Sequence, residues 1–170
     1  MQNPTNEKYA KKKTVAAKQI FTDPINFLAF GFGSGLAPKA PGTFGTLACI
    51  PLYWLLADLS LIYYLLACVF ISAIGIFICG YTAKVLKIHD HPGIVWDEFA
   101  GFLITMIGIS FSWTNVLIGF ILFRIFDIWK PWPINWLDSK VSGGLGIMLD
   151  DIVAGAFSLL ILHSMLYFIG

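Results

Sequence analysis

Hydrophobic positions run together along this chain in blocks that charges only punctuate. The segment LSLIYYLLACVFISAIGIFICG, residues 59–80, carries no charged side chain, and a helix needs about 20 apolar residues to cross a bilayer core. A second such block, IVAGAFSLLILHSMLYFIG, occupies 152–170. Between them FAGFLITMIGISF (99–111) and VLIGFILFRIF (116–126) are each short, and SFSWTN between them is a turn signal, so together they predict a helical hairpin. Ahead of the first block, TFGTLACIPLYWLLA (43–57) is apolar but short and is separated from it only by DLS; it is a first crossing or a re-entrant piece. The pattern predicts an all-α fold, a polytopic integral membrane helical bundle of four to five membrane segments, with residues 21–170 forming one domain.

Composition supports that class. Hydrophobic residues make up 58% of the 170 positions and charged residues 12%, about half the charge of an ordinary soluble domain. A soluble chain of this length has too much surface for its volume to hide so much apolar side chain. The first twenty residues, MQNPTNEKYAKKKTVAAKQI, are instead polar and basic, without the apolar stretch of a signal peptide, and read as a flexible or interfacial arm. Net charge is only +1 and no basic stripe with interleaved aromatics appears, which removes the usual grounds for nucleic-acid binding. Cys49, Cys68 and Cys79 lie in apolar stretches without metal-ligand spacing and read as buried thiols. None has an arginine six positions on, so the cysteine-phosphatase loop is absent.

Charge placement adds an orientation. If 43–57 crosses and each later segment crosses back in turn, all eleven basic residues fall on the starting side: five in the N-terminal arm, then Lys39, Lys84, Lys87, Arg124, Lys130 and Lys140. Lys and Arg concentrate on the cytoplasmic side of membrane proteins, so that side is expected to face the cytoplasm. The far side retains Asp58 as its only acid.

Five acids then gather at helix ends on the cytoplasmic side. Asp97 and Glu98 precede the third block, Asp127 closes the fourth, and Asp150 and Asp151 precede the last. Acids at a helix N-terminus favour the macrodipole by about 0.3–1 kcal/mol each, which accounts for four of them singly. It fails for Asp127, at a C-terminus, and leaves the adjacent pairs unexplained, since neighbouring like charges repel. A divalent cation accounts for all five: hard ions such as Mg²⁺ take oxygen ligands, commonly one or two carboxylates with waters and a substrate phosphate. Spacing does not separate one ion from two, nor a ligand from a general base.

The loops carry matching chemistry. GFGSGLAPKAPGTFGT (31–46) can turn backbone N–H groups toward a phosphate, with Thr43 as N-cap or phosphate donor, although the same small residues suit a close-packed turn. KPWPINWLDSKVSGG (130–144) places Lys130 three residues past Asp127, where it can neutralise a phosphate oxygen or a lipid headgroup. In HDHPGIV (89–95), His89 titrates near neutrality and can act as acid or base. His163, mid-way along the last block, reads as a helix–helix hydrogen-bonding residue.

The motifs GFGSGLAPKAPGTFGT, HDHPGIVWDEFAG, FRIFDIWKPWPI and GGLGIMLDDIVAG, in that order over residues 31–155, resemble phosphatidylglycerophosphatase A, a magnesium-dependent bacterial membrane phosphatase family. The resemblance implies removal of the terminal phosphate of phosphatidylglycerophosphate to give phosphatidylglycerol, with Mg²⁺ as cofactor and residence in the inner membrane. It maps onto His89, Asp90, Asp97, Glu98, Asp127, Lys130, Asp150, Asp151 and Thr43, whereas Lys39 departs from the pattern. Asp97, Asp127, Asp151 and His89 are the expected catalytic residues; Thr43 and Lys130 would bind phosphate; Asp97, Glu98, Asp127, Asp150 and Asp151 would hold metal. The DxDxT signature of aspartyl-phosphate enzymes is missing, which favours direct attack by water. A cation-transport protein using the same carboxylates is the competing class, disfavoured because no acid lies on a path through the membrane. A lipid phosphotransferase would need its DGxxAR helix pattern, which is absent.

Overall fold

The computed structural model describes residues 17–88 and 91–169, and among them every regular element is helical. In chain order these are α1 (Ala17–Thr22), α2 (Pro24–Ala29), a 3₁₀ segment (Gly31–Leu36), α3 (Pro41–Leu56), α4 (Leu61–Leu86), α5 (Trp96–Thr105), α6 (Trp113–Trp129), α7 (Ile134–Lys140) and α8 (Gly143–Ile169). Ile20, at the end of the expected arm, is fully buried.

Two of these helices, Leu61–Leu86 and Gly143–Phe168, are long and apolar enough to cross a membrane. Leu61–Leu86 holds apolar residues on all sides until its last turns, whereas Gly143–Phe168 does so only beyond Asp151, with His163 interrupting it. Leu66, Val69, Phe70 and Phe77 of α4 stay exposed while Cys68, Ile71 and Ile78 face the interior. The shorter segments differ from the expected crossings. The hairpin over 99–126 exists, but its first arm ends at Thr105 after ten residues, a length of about 15 Å against a bilayer core of about 30 Å. Its second arm is longer than predicted, running over Trp113–Trp129.

Short as it is, α5 is the centre of the molecule. Trp96, Glu98–Leu103 and Thr105 are all buried, and α3, α4, α6 and α8 pack around it. The contact with α8 is close because glycines face each other: a Cβ at Gly155 would overlap the Gly101 carbonyl, and one at Gly101 would meet the Asp151 carbonyl at 2.7 Å and the Phe123 ring at 2.5 Å. Ending a helix inside an apolar bundle strands its carbonyls, each costly if left unpaired. One of them, Leu103 O, accepts from Tyr64 of α4 (2.9 Å), and backbone N–H groups of Met106 and Ile107 reach Phe102 O, Leu103 O and Ile104 O. In the turn beyond the helix Tyr53 donates to Ile109 O (2.8 Å) and His163 Nε2 lies 2.8 Å from Ile107 O. His163 therefore ties α8 to the turn that follows α5, rather than to a second helix as its sequence position suggested.

The last helix also starts earlier than the hydrophobic pattern implied. Its apolar block begins at residue 152, but the helix begins at Gly143, so Asp150 and Asp151 lie seven and eight residues inside it. Glycines permit this. Gly144 sits against the Ile76 carbonyl of α4, where a Cβ would overlap backbone, letting the first turns of α8 press onto α4.

Candidate active site

Four helix ends converge on one cavity of about 550 Å³. The start of α5 is held by its preceding loop, in which Ile94 N–H donates to His91 O (2.8 Å) and Val95 N–H to Ala29 O of α2 (2.9 Å). The first turn of α5 thereby presents Asp97 and Glu98. From α6 come Arg124 and Asp127, one turn apart and ion-paired at 2.5 Å; from α8 come Asp150 and Asp151. The opening turn of α3 forms the remaining wall. Ala40 adopts a left-handed conformation as N-cap and Pro41 occupies the first helical position. Gly42 then brings the helix so near that an added Cβ would fall on the Glu98 carboxylate and 3.0 Å from Arg124 Nη1.

Among the described residues, six carboxylates line this cavity against two cations, Arg124 and Lys130. The cations are not shared evenly. Arg124 Nη1 pairs with Asp127 and reaches Glu98 Oε1 at 3.6 Å. Lys130 Nζ lies 2.6 Å from Asp150 Oδ2 and 3.0 Å from Asp138 Oδ1. Asp97, Glu98 and Asp151 remain as a cluster in which one ligand oxygen from each lies within 4.8 Å of the others. Several buried polar atoms here have no hydrogen-bond partner: Asp97 Oδ1, Glu98 Oε2, Asp150 Oδ1 and Arg124 Nε.

Such a cluster resists ionisation. Burial pushes the Asp97 carboxyl well above its usual range, and the neighbouring charges of Glu98 and Asp151 push it further. Glu98 rises to about 7, chiefly through burial; its hydrogen bond with Asp97 opposes this, Asp127 adds to it, and Arg124 again opposes. For Lys130 burial works against the charge, but hydrogen bonds and proximity to Asp150 and Asp138 outweigh it and raise the ammonium above its ordinary value. Unpartnered, closely grouped carboxylate oxygens fit a hard divalent ion, which would take oxygen donors only and relieve the repulsion that now favours protonation.

All five acids singled out in the sequence reach the cavity, as does Lys130. Asp97, Glu98 and Asp151 form the group able to hold an ion, although Glu98 also lies 3.6 Å from Arg124; Asp127 and Asp150 have closer cationic partners. Thr43 is the third residue of α3, behind the N-cap it was expected to be, and is not part of the cavity wall. His89 and Asp90 lie outside the described residues. Sequence reasoning missed Arg124 as a site residue and Asp138 altogether. The signal for Arg124 was present, as an arginine in the apolar run VLIGFILFRIF three residues before an acid; Asp138 is brought in only by the fold of α7 onto Lys130.

Residues 27–166 match the phosphatidylglycerophosphatase A family. The protein named phosphatidylglycerophosphatase A from Escherichia coli (strain K12) is 48% identical over 162 residues, covering 94% of this chain and 92% of that protein. The protein of the same name from Haemophilus influenzae is 42% identical over 147 residues, covering 85% and 90%. A Bacteroides thetaiotaomicron protein, whose name proposes phosphatidylinositol-3-phosphatase activity, is 33% identical over 147 residues, covering 82% and 92%. No solved structure matches the chain. With a match across most of its length and with relatives at 48% and 42% identity, the chain belongs to the phosphatidylglycerophosphatase A family.

Proposed function

We propose that this protein is a magnesium-dependent lipid phosphatase that hydrolyses the terminal phosphate monoester of phosphatidylglycerophosphate, giving phosphatidylglycerol and inorganic phosphate. The observation that carries the reading is the grouping of Asp97, Glu98 and Asp151 beside Arg124 and Lys130 in one cavity. The names of the relatives supply the substrate. A phosphate dianion entering among six carboxylates would be repelled by them, so the cavity needs added positive charge for the substrate to bind.

Asp97, Glu98 and Asp151 would hold Mg²⁺, with Asp127 and Asp150 at its margin. When bound, the ion supplies charge neutralisation at the phosphoryl oxygens and a more acidic water. The chain's own groups do the rest. Lys130 and the unpartnered Nε of Arg124 offer donors to phosphate oxygens as charge shifts onto them. Asp127 accepts the proton of the attacking water while Arg124 holds the carboxylate in place. As the new oxygen–phosphorus bond forms, the bond to the glycerol oxygen breaks, and His89 is our candidate to return a proton to it.

We place the protein in the bacterial inner membrane with this cavity facing the cytoplasm. The starts of α3, α5 and α8 and the end of α6 all meet at the cavity, in accord with alternating crossings, and the basic residues gather on the same side. In this reading α4 and α8 cross fully. The 16 residues of α3 and 17 of α6 make about 24–26 Å each and cross with their flanking turns. The buried α5 enters part-way.

The test is phosphate release by detergent-solubilised protein from phosphatidylglycerophosphate, with Mg²⁺ titrated back after chelation. Release that ignores chelation removes the metal from the mechanism, and no release from any lipid phosphate removes the function. An acid-quenched reaction with labelled substrate should leave the protein unlabelled; label retained on protein would replace water attack with an aspartyl-phosphate.

A further inference from the structure

Besides the acidic cavity, the described residues carry two apolar hollows large enough for a chain. One lies between α3 and α4, about 570 Å³, and shares no residue with the acidic cavity. The other, about 440 Å³, runs along α6 and is lined by Phe120, Ile121, Arg124, Ile125, Ile128 and Trp129. Two of its residues, Arg124 and Ile128, also line the acidic cavity. The arginine stem forms part of the trough, while its guanidinium turns inward to Glu98 and Asp127.

Resting on the reading of the cavity as a lipid phosphatase site, we propose that the substrate enters sideways from the bilayer across Ile128 and Arg124, with one acyl chain lying in the trough on α6. Direction and length fit this occupant. The trough's cavity end is the C-terminal end of α6, at the level of the acids, and it runs back toward Phe120. The nine helical rises from Phe120 to Trp129 span about 13 Å, close to the half-thickness, about 15 Å, of one leaflet's hydrocarbon. Ile121, Ile125 and Ile128 are 47%, 47% and 69% exposed, open to an occupant rather than covered by protein. The trough therefore meets the phosphate site at Ile128 and the arginine stem, and the α3–α4 hollow does not meet it.

The experiment compares long-chain phosphatidylglycerophosphate in mixed micelles with its water-soluble dihexanoyl analogue. The double variant Ile121→Trp/Ile125→Trp fills the trough while remaining apolar. It should raise KM for the long-chain substrate roughly tenfold, about what the loss of one or two buried methylenes predicts. Its kcat at saturation and its turnover of the dihexanoyl lipid should not change. Leu55→Trp/Phe70→Trp, which fills the α3–α4 hollow, should leave both substrates unaffected. Equal effects on both substrates, no effect from the α6 pair, or a chain-length effect from the α3–α4 pair would each overturn the proposal. If the tryptophan pair does not fold, Ile121→Ala/Ile125→Ala strips the walls and is read by the same chain-length criterion. Failure of the unaltered protein to act on either lipid would instead reject the phosphatase reading.

Discussion

Replacing Asp151 by Asn separates a metal site from a merely structural cluster, because the two roles predict opposite changes in stability. Asp151 is 2% exposed, and its ligand oxygen lies within 4.8 Å of those of Asp97 and Glu98. Two full charges at that distance repel by about 3–4 kcal/mol at an effective dielectric near 20. Protonation of Asp97 and Glu98 already avoids part of this, leaving about 1–2 kcal/mol for the substitution to relieve. Asparagine has nearly the same shape and brings an amide that can donate to either neighbour. Without metal, the variant should therefore unfold at the same temperature as the parent or about 3–6 °C higher.

With Mg²⁺ the order should reverse. An ion at a hundredfold its dissociation constant stabilises the parent by about 2.7 kcal/mol, and the variant should lose most of that gain. Turnover should fall by two to three orders of magnitude, equivalent to about 3–4 kcal/mol of transition-state stabilisation. The assays are thermal unfolding in detergent with chelator and with Mg²⁺, and phosphate release under the same conditions. A variant that is less stable without metal yet keeps the parent's Mg²⁺ shift would show that Asp151 is there for packing. Retention of more than a tenth of the turnover would remove it from the site.

Three further outcomes follow from the same geometry. Glu98 has a folded pKa of about 7 against an ordinary 4.5, so the metal-free native state keeps a proton that the unfolded chain releases. Its contribution is present below pH 4.5 and is lost as pH rises through 7, with Asp97 acting in the same direction; melting with chelator from pH 4.5 to 8 should track this decline, and a flat or rising profile would contradict it. Lys130→Met leaves Asp150, only 6% exposed, without its cation; thermal unfolding should register a loss of about 1–3 kcal/mol, and KM for the lipid should rise. Gly42→Ala should favour helix α3 by up to about 1 kcal/mol, yet its Cβ would meet Glu98 and Arg124. Activity should fall at least tenfold while the fold survives, and an unimpaired Gly42→Ala enzyme would mean that this wall can move freely.

Much of this architecture is written locally in the chain. The uncharged run at 59–80 yielded α4, and the acids at the ends of apolar blocks marked the cavity: Asp97, Glu98 and Asp127 lie at helix ends, while Asp150 and Asp151 reach it from two turns inside α8. What the pattern hid depends on tertiary packing. Hydropathy does not distinguish a helix that faces lipid from one that other helices surround, so α5 resembled a crossing although it is a buried half-length helix. Its early end is held by backbone bonds from Met106 and Ile107 and by Tyr64, Tyr53 and His163, remote in sequence, which bind Leu103 O and two carbonyls of the turn that follows. The start of α8 was misplaced for a related reason: GGLGIML reads as loop by its glycines, which here serve close contact with α4.

The division of labour among the acids also answers why Asp127 sits at the unfavourable end of a helix. At the start of α5 the helix dipole favours Asp97 and Glu98, whereas at the end of α6 it opposes an anion by a similar amount, about 0.3–1 kcal/mol. Arg124, one turn back on the same face of α6, supplies the missing positive charge at 2.5 Å. An acid so placed cannot be explained as a cap, and its arginine cannot be explained as a surface charge, since its side chain is only 13% exposed within an apolar run. Burying such a pair carries a desolvation cost that a hydrophobic pair would avoid. Arg124 also lines both the polar chamber and the apolar trough. It is therefore the residue through which a lipid's charged head and hydrocarbon tail would be matched to the two halves of the site, and it is the position at which the phosphatase and lateral-entrance proposals meet.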